Sequence, residues 1–297
     1  MKPRQSVEPL TPLFGARVSG IDLSETIRGD VLLEIRRLIE EYAVICFPDQ
    51  TLSTEKQIEF SNLFGPVQKS ISVARPEETR RFDRQDVSDI SNVGNDGRAL
   101  NPQHVRRRLQ LANQLWHTDN SFRDPSGGYT FLFARQVPDA GGETEFADAR
   151  AAFDRVPEER RRQFETLEAF HSLARSRSLV GGPPLSAEEA LRFPGRVQPL
   201  VVTTSGGRRA LYAGSHASHV VDLDEREGRA LLDEVDDAIT DPRHTYAHQW
   251  SIGDLVMWDN RATLHRGRPF DERRQLRDLR RTTVANVTVA PVLAEDL

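Results

Sequence analysis

The sequence predicts a mainly β protein with helices (α+β), built as an antiparallel double-sheet roll decorated by helices. Three observations carry this. From Leu111 onward the chain breaks into short β-prone runs: Tyr129–Ala134, Gly142–Phe146, Leu200–Thr204, Ala210–Ala213, Tyr246–Trp250, Asp254–Trp258 and Arg281–Val289. Turn signals separate them, among them Gly127-Gly128, Asp139-Ala-Gly-Gly142, Ser205-Gly-Gly207 and Gly253-Asp254. No Gly-x-Gly-x-x-Gly turn joins a strand to a helix, which argues against a parallel nucleotide-binding sheet.

The first hundred residues read differently. Asp30 to Glu41 has the pattern of an amphipathic helix, with Asp30 as N-cap and Leu33, Ile35, Leu38 and Ile39 on the apolar stripe. A short buried strand, Tyr42 to Phe47, follows. A second helix should start at Ser53 and stop at Gly65-Pro66. Polar, turn-rich sequence from Arg75 to Arg108 surrounds one strand-like run, Asp89–Val93, and has the character of a loop covering a site. Later helices are expected at about Pro157–Leu167 and Asp224–Ile239. With 297 residues, 37% of them hydrophobic, and no internal repeat, one domain spanning 1–297 fits best.

Composition narrows the function. Hydrophobic runs are too short to span a bilayer, and the opening MKPRQSVEPL lacks an apolar segment after its basic residues, so a cytoplasmic protein without membrane contact is expected. A net charge of −5 offers no general attraction to nucleic acid. Cys46 is the only cysteine, which rules out an internal disulfide and points any metal site to His, Asp or Glu. Lysine occurs only at Lys2, Lys56 and Lys69, so nearly all positive charge is arginine, the side chain suited to gripping small carboxylates.

Trp116-His117-Thr118-Asp119 is the first chemical candidate. In extended chain, residues two apart face the same side, so His117 and Asp119 can offer an imidazole and a carboxylate to one metal ion. Histidine-x-aspartate is common by chance, and a third ligand must come from elsewhere. His265 offers it, shortly after the apolar run ending at Trp258. Two histidines and one carboxylate on one face leave adjacent positions open, which suits iron(II) with a bidentate co-substrate; a hydrolytic zinc site is the rival use of the same donors. Twelve residues beyond His265, Arg277 and Arg281 fall on one side of a run entering the last strand, so one could hold the distal carboxylate of 2-oxoglutarate and the other an anionic substrate. Thr144 supplies a hydroxyl for the first of these sites.

These segments, Asp89–Arg98, Asn113–Phe122, Gly141–Asp154, Gly214–Val220 and Gly253–Arg268, resemble the taurine dioxygenase and 2,4-dichlorophenoxyacetate dioxygenase family of iron(II)- and 2-oxoglutarate-dependent oxygenases. The resemblance runs from about Leu13 to Val289 and is strongest toward the aryloxyalkanoate branch. It implies a double-stranded β-helix (jelly-roll) core. It also implies His117, Asp119 and His265 as iron ligands, Thr144 and Arg277 at 2-oxoglutarate, and Arg281 toward the substrate anion, with O2 as oxidant. Asn113 and His216 lie in segments resembling substrate-pocket walls. His219, Trp116 and Cys46 are read as structural. The stretch between His265 and Arg277 is one residue longer than the family pattern, which makes Arg274 a rival to Arg277.

The implied reaction is hydroxylation of a small organic anion, an aryloxyalkanoate ether being cleaved to a phenol and an oxo acid with release of succinate and CO2. A sulfonate or alkyl sulfate would be cleaved by analogous chemistry. A metallohydrolase or a non-catalytic jelly-roll binding module are the rivals from other classes. The former lacks a His-Glu-x-x-His signature here. A homo-oligomer is left open.

Overall fold

The computed structural model describes residues 5–75 and 80–287. Along the chain the strands and helices are β1 (Ser6–Pro9), β2 (Ala16–Ser19), α1 (Gly29–Tyr42), β3 (Val44–Phe47), α2 (Thr54–Asn62), β4 (Ser88–Ser91), α3 (Val105–Gln110) and β5 (Gly127–Gln136). Then come β6 (Thr144–Asp148), α4 (Ala149–Arg155), α5 (Glu158–Phe164), β7 (Glu168–His171), α6 (Leu173–Leu179), α7 (Ala187–Arg192), β8 (Arg196–Pro199), β9 (Val201–Thr203) and β10 (Arg209–Leu211). The chain continues through β11 (Ala217–Val220), α8 (Glu225–Ile239), β12 (Thr245–His248), β13 (Leu255–Asp259), β14 (Thr263–Gly267) and β15 (Asp278–Ala285).

A seven-stranded sheet in the order β1-β2-β3-β13-β5-β15-β4 forms one wall, antiparallel except for the parallel β2–β3 pair. The three-stranded sheet β12-β6-β14 forms the other wall, and the two enclose a jelly-roll core. The period-two alternation of the strands decides which residues go where. Val44, Cys46, Leu132, Ala134, Val256, Trp258 and Leu279 point inward and meet Phe146 of β6 between the walls. Their sequence neighbours Ile45, Phe47, Phe131, Phe133 and Met257 point outward under α1 and α2. There Phe60 of α2 packs edge-on to Phe131 and Phe64, with ring centroids 5.6 and 5.4 Å away. Each fully buried ring of this kind contributes about 1.5–3 kcal/mol. On the far side of the small sheet, Ala147 and Leu264 pack under α4, α8 and the outer strands.

The helix starting after Ser53 is as expected: the Ser53 hydroxyl accepts from the Lys56 amide. Asp224 likewise caps α8, accepting from the amides of Arg226 and Glu227. Asp30 is not the N-cap of α1. The extended cap residue is Arg28, and Asp30 sits in the first turn with its carboxylate on the Arg28 guanidinium. Gly127-Gly128 is not a turn either but the start of β5. A Cβ on Gly127 would stand 2.4 Å from the Asp119 carbonyl oxygen, so glycine is needed there for close approach. The expected last strand extends through Val289, but its residues 288 and 289 lie outside the described residues; β15 is described as Asp278–Ala285.

Candidate active site

His117 and His265 are joined through their backbones. Each amide donates to the other's carbonyl, at 3.0 and 2.8 Å, so the two residues sit opposite each other as an antiparallel bridge between β14 and the segment ahead of β5. His265 thus lies on its own strand, β14. Two residues on from His117, Asp119 is turned the same way, as the spacing predicts. Its amide donates to Asn260 Oδ1 at 3.2 Å and its Oδ2 accepts from Thr130 Oγ1 at 2.9 Å. Asn260 Nδ2 closes the ring by donating to Thr130 Oγ1 at 2.9 Å. Thr118 Oγ1 donates to the Asn260 carbonyl at 2.6 Å, and Trp258 Nε1 donates to Asn260 Oδ1 at 3.1 Å.

Thr130 therefore supports the Asp119 carboxylate while Asn260 holds the Asp119 backbone amide and the Thr130 hydroxyl, roles that sequence reasoning missed. The signal available was the Trp258-Asp259-Asn260 turn itself, where an asparagine can bridge backbone to neighbouring polar groups.

The donor atoms converge. His117 Nε2 lies 3.9 Å from Asp119 Oδ1, and His265 Nε2 lies 3.7 Å from Asp119 Oδ2. One donor atom from each of the three falls within 4.8 Å of the others. His117 Nδ1 is 2.7 Å from the Leu115 carbonyl, so it carries the proton and leaves the Nε2 lone pair free. Burial pushes both imidazoles below their ordinary range. They are neutral, as ligands must be. Burial raises the Asp119 carboxyl, but the Arg281 cation leads a set of neighbours that reverse this and hold it at about 2. Two neutral imidazoles and one ionised carboxylate, buried and open on one side, fit an iron(II) ion.

Two chambers meet at this cluster. The smaller, about 680 Å³ including its mouth, is lined by Leu132, Thr144, Trp258, His265 and Arg277. Arg277 is 9% exposed and has no ion-paired carboxylate among the described residues. Its Nε donates to the Gly142 carbonyl at 3.0 Å and Nη2 reaches Thr144 Oγ1 at 3.4 Å. Burial, with the Arg107 cation nearby, lowers its pKa to about 10, so it stays charged at neutral pH. Such a cation in an enclosed pocket calls for an anion. Arg274 instead has an 86% exposed side chain, 3.8 Å from Asp271.

The larger chamber, about 1010 Å³ including its mouth, is bordered by Arg281, Asn113, His216, Phe122 and Arg177. Arg281 and Asn113 line both chambers. Arg281 Nη1 donates to Asp119 Oδ1 at 2.5 Å while its Nε has no partner among the described residues. The sequence expectation of an arginine given over to a substrate anion is thus modified, since Arg281 also touches the metal-facing carboxylate. His216 is 7% exposed, its Nδ1 without a partner among the described residues and its ring edge-on to Phe122 at 4.9 Å. His219 is remote from this, exposed and stacked on Phe170. Trp116 packs on the outer core, with Arg266 over its ring.

Residues 6–283 match the family described as "Taurine catabolism dioxygenase TauD, TfdA family". The chain is 42% identical to an alpha-ketoglutarate-dependent 2,4-dichlorophenoxyacetate dioxygenase of Cupriavidus pinatubonensis, across 95% of this chain and 98% of that one. It is 33% identical to an (S)-phenoxypropionate/alpha-ketoglutarate-dioxygenase of Sphingobium herbicidovorans, across 91% and 92% of the two chains. Among solved structures, AAD-2 in complex with Mn(II) and N-oxalylglycine superposes with a TM-score of 0.88 at 37% identity, covering 97% of this chain and 99% of that one. On the breadth of these matches, the chain belongs to the TauD/TfdA dioxygenase family.

Proposed function

We propose that this protein is an iron(II)- and 2-oxoglutarate-dependent dioxygenase that cleaves an aryloxyalkanoate to a phenol and an oxo acid. The observation that carries the proposal is the pair of chambers meeting at His117, Asp119 and His265, one walled by the buried Arg277 and the other by the partly buried Arg281, in a chain 42% identical to a 2,4-dichlorophenoxyacetate dioxygenase.

When bound, iron(II) supplies O2 activation coupled to decarboxylation of 2-oxoglutarate to succinate and CO2, and through it hydroxylation of a substrate C–H bond. The chain's own residues position and enclose. His117, Asp119 and His265 hold the metal, with Thr130 donating to the Asp119 carboxylate and Asn260 accepting from the Asp119 backbone amide. Arg277 and Thr144 hold the distal carboxylate of 2-oxoglutarate. Arg281 holds the substrate's carboxylate. Of the other arginines around the larger chamber, Arg177 and Arg75 pair with Glu189, Arg81 with Asp278 and Arg106 with Asp89, while Arg80 donates to the backbone carbonyls of Val73 and Arg75. Once a metal shares the Asp119 charge, Arg281 is left with positive charge to offer. Asn113 and His216 line the wall where the rest of the substrate rests. Hydroxylation beside the ether oxygen gives a hemiacetal that falls apart to phenol and oxo acid.

The family match over residues 6–283 supports one catalytic domain spanning the chain. No helix among the described residues is long and apolar enough to cross a membrane, and we infer action in the cytoplasm. The test compares phenol release and coupled succinate formation from a phenoxyacetate and from its methyl ester. The acid should turn over far better than the ester, and Arg281→Ala should erase most of that preference. Equal turnover of acid and ester sinks the anionic-substrate proposal.

A further inference from the structure

We propose that Trp250 is a positioning residue for the co-substrate: it does not touch 2-oxoglutarate but fixes the direction in which the Thr144 hydroxyl donates. A threonine hydroxyl has one proton to give and two lone pairs to receive with. Trp250 Nε1 donates to Thr144 Oγ1 at 3.2 Å, and Arg277 Nη2 donates to the same oxygen at 3.4 Å. Both lone pairs are therefore engaged. No acceptor for the Thr144 proton occurs among the described residues, and Thr144 lines the smaller chamber. The one remaining direction for the proton is into that chamber, where a carboxylate oxygen would accept it. An indole N–H can only donate, so it cannot compete for the proton.

The tryptophan is itself held. His248 faces Thr144 across the β12–β6 ladder, and its ring stands edge-on to Trp250, with centroids 4.7 Å apart at 85°. The ring of His248 is pinned at both nitrogens, Nδ1 to the Tyr246 hydroxyl and Nε2 to Asp254 Oδ2, each at 3.0 Å. Both His248 and Asp254 are fully buried, and the mechanism above leaves them unused. They lock the indole, the indole polarises Thr144, and Thr144 meets the ligand already oriented, so that little freedom is lost on binding.

This inference rests on the proposed seating of 2-oxoglutarate at Thr144 and Arg277, and calorimetric titration of the Mn(II)-loaded protein separates the two. Trp250→Phe keeps the ring and removes only the N–H. It should weaken 2-oxoglutarate binding about tenfold, the scale of one lost hydrogen bond. Binding of pyruvate, which has the same 2-oxo acid head without the distal carboxylate, should be unchanged. Thr144→Val should weaken 2-oxoglutarate at least as much, and adding Trp250→Phe to it should cost nothing further. Unchanged 2-oxoglutarate binding in Trp250→Phe, equal weakening for both acids, or additive losses in the double variant overturns the proposal. If Thr144→Val alone binds 2-oxoglutarate normally, the seating itself is wrong and the inference goes with it.

Discussion

Arg277 and Arg274 are three residues apart and have opposite surroundings, one sealed against Thr144 and Gly142, the other in solvent beside Asp271. If the sealed one binds the distal carboxylate of 2-oxoglutarate, Arg277→Ala should raise the concentration needed for half-maximal succinate formation by on the order of a hundredfold. Arg274→Ala should leave it where it was. A reversed result would move the co-substrate site. The sequence left this pair open because spacing counts residues and not burial; which arginine turns inward depends on where β15 begins. His117-x-Asp119 was legible, since alternation in extended chain is a local rule. The part of Arg281 that contacts Asp119 was not, because that contact closes between strand β15 and a segment far from it in sequence.

The turn between β13 and β14 shows the same division at the level of elements. Its Asn260 side chain serves the Asp119 amide, the Trp258 indole and the Thr130 hydroxyl together. Asn260→Ala should leave these buried groups short of partners, costing about 2–4 kcal/mol in urea unfolding. Mn(II) affinity should also fall about 10- to 100-fold, as for groups that orient a metal ligand. A variant with full stability and unchanged metal binding would show that Asp119 is held by other means. Of the two caps expected, Ser53 announces α2 through a bond made within one turn, whereas Asp30 does not cap α1; Asp224, expected only as a helix start, does cap α8. The short strands β7, β8 and β11 were missed. Each has only four residues; β7 and β11 are buried in part by pairing with each other and by β11 packing on α8, and β8 pairs with β7 while staying mostly exposed, so no alternating pattern marks them.

At the scale of the whole molecule, the layered core fixes how stability responds to acid. His171, on β7, is 0% exposed, stacks on Tyr212 and has no partner at either ring nitrogen among the described residues. Burial alone holds it at about 3. An unfolded histidine titrates near ~6.5, so between these values the unfolded chain binds the extra proton and the folded one does not. Its contribution is complete above about pH 6.5, declines as pH falls below that, and levels off below about pH 3. His171→Phe should therefore flatten the stability profile, sparing about 2 kcal/mol of the loss otherwise suffered between about pH 7 and pH 5. Urea midpoints across that range measure it, and parallel profiles for the two proteins would exclude His171 as a source of acid sensitivity. The fold class itself was legible because many short runs with turn signals admit few architectures. Which wall each run joins was not, since the order β3-β13-β5-β15 interleaves distant segments.

The backbone bridge between His117 and His265 also governs when the site can come into being. During synthesis, a chain that has emerged only as far as α8 has His117 and Asp119 in hand but no opposing strand to hold them at their spacing. Their partner arrives with β14, and the Arg281 guanidinium later still, with β15. Pairings this distant form slowly and late. A nascent chain is thereby denied the assembled His–Asp–His cluster until β14 has been made, which delays capture of competing ions until the complete geometry is in place.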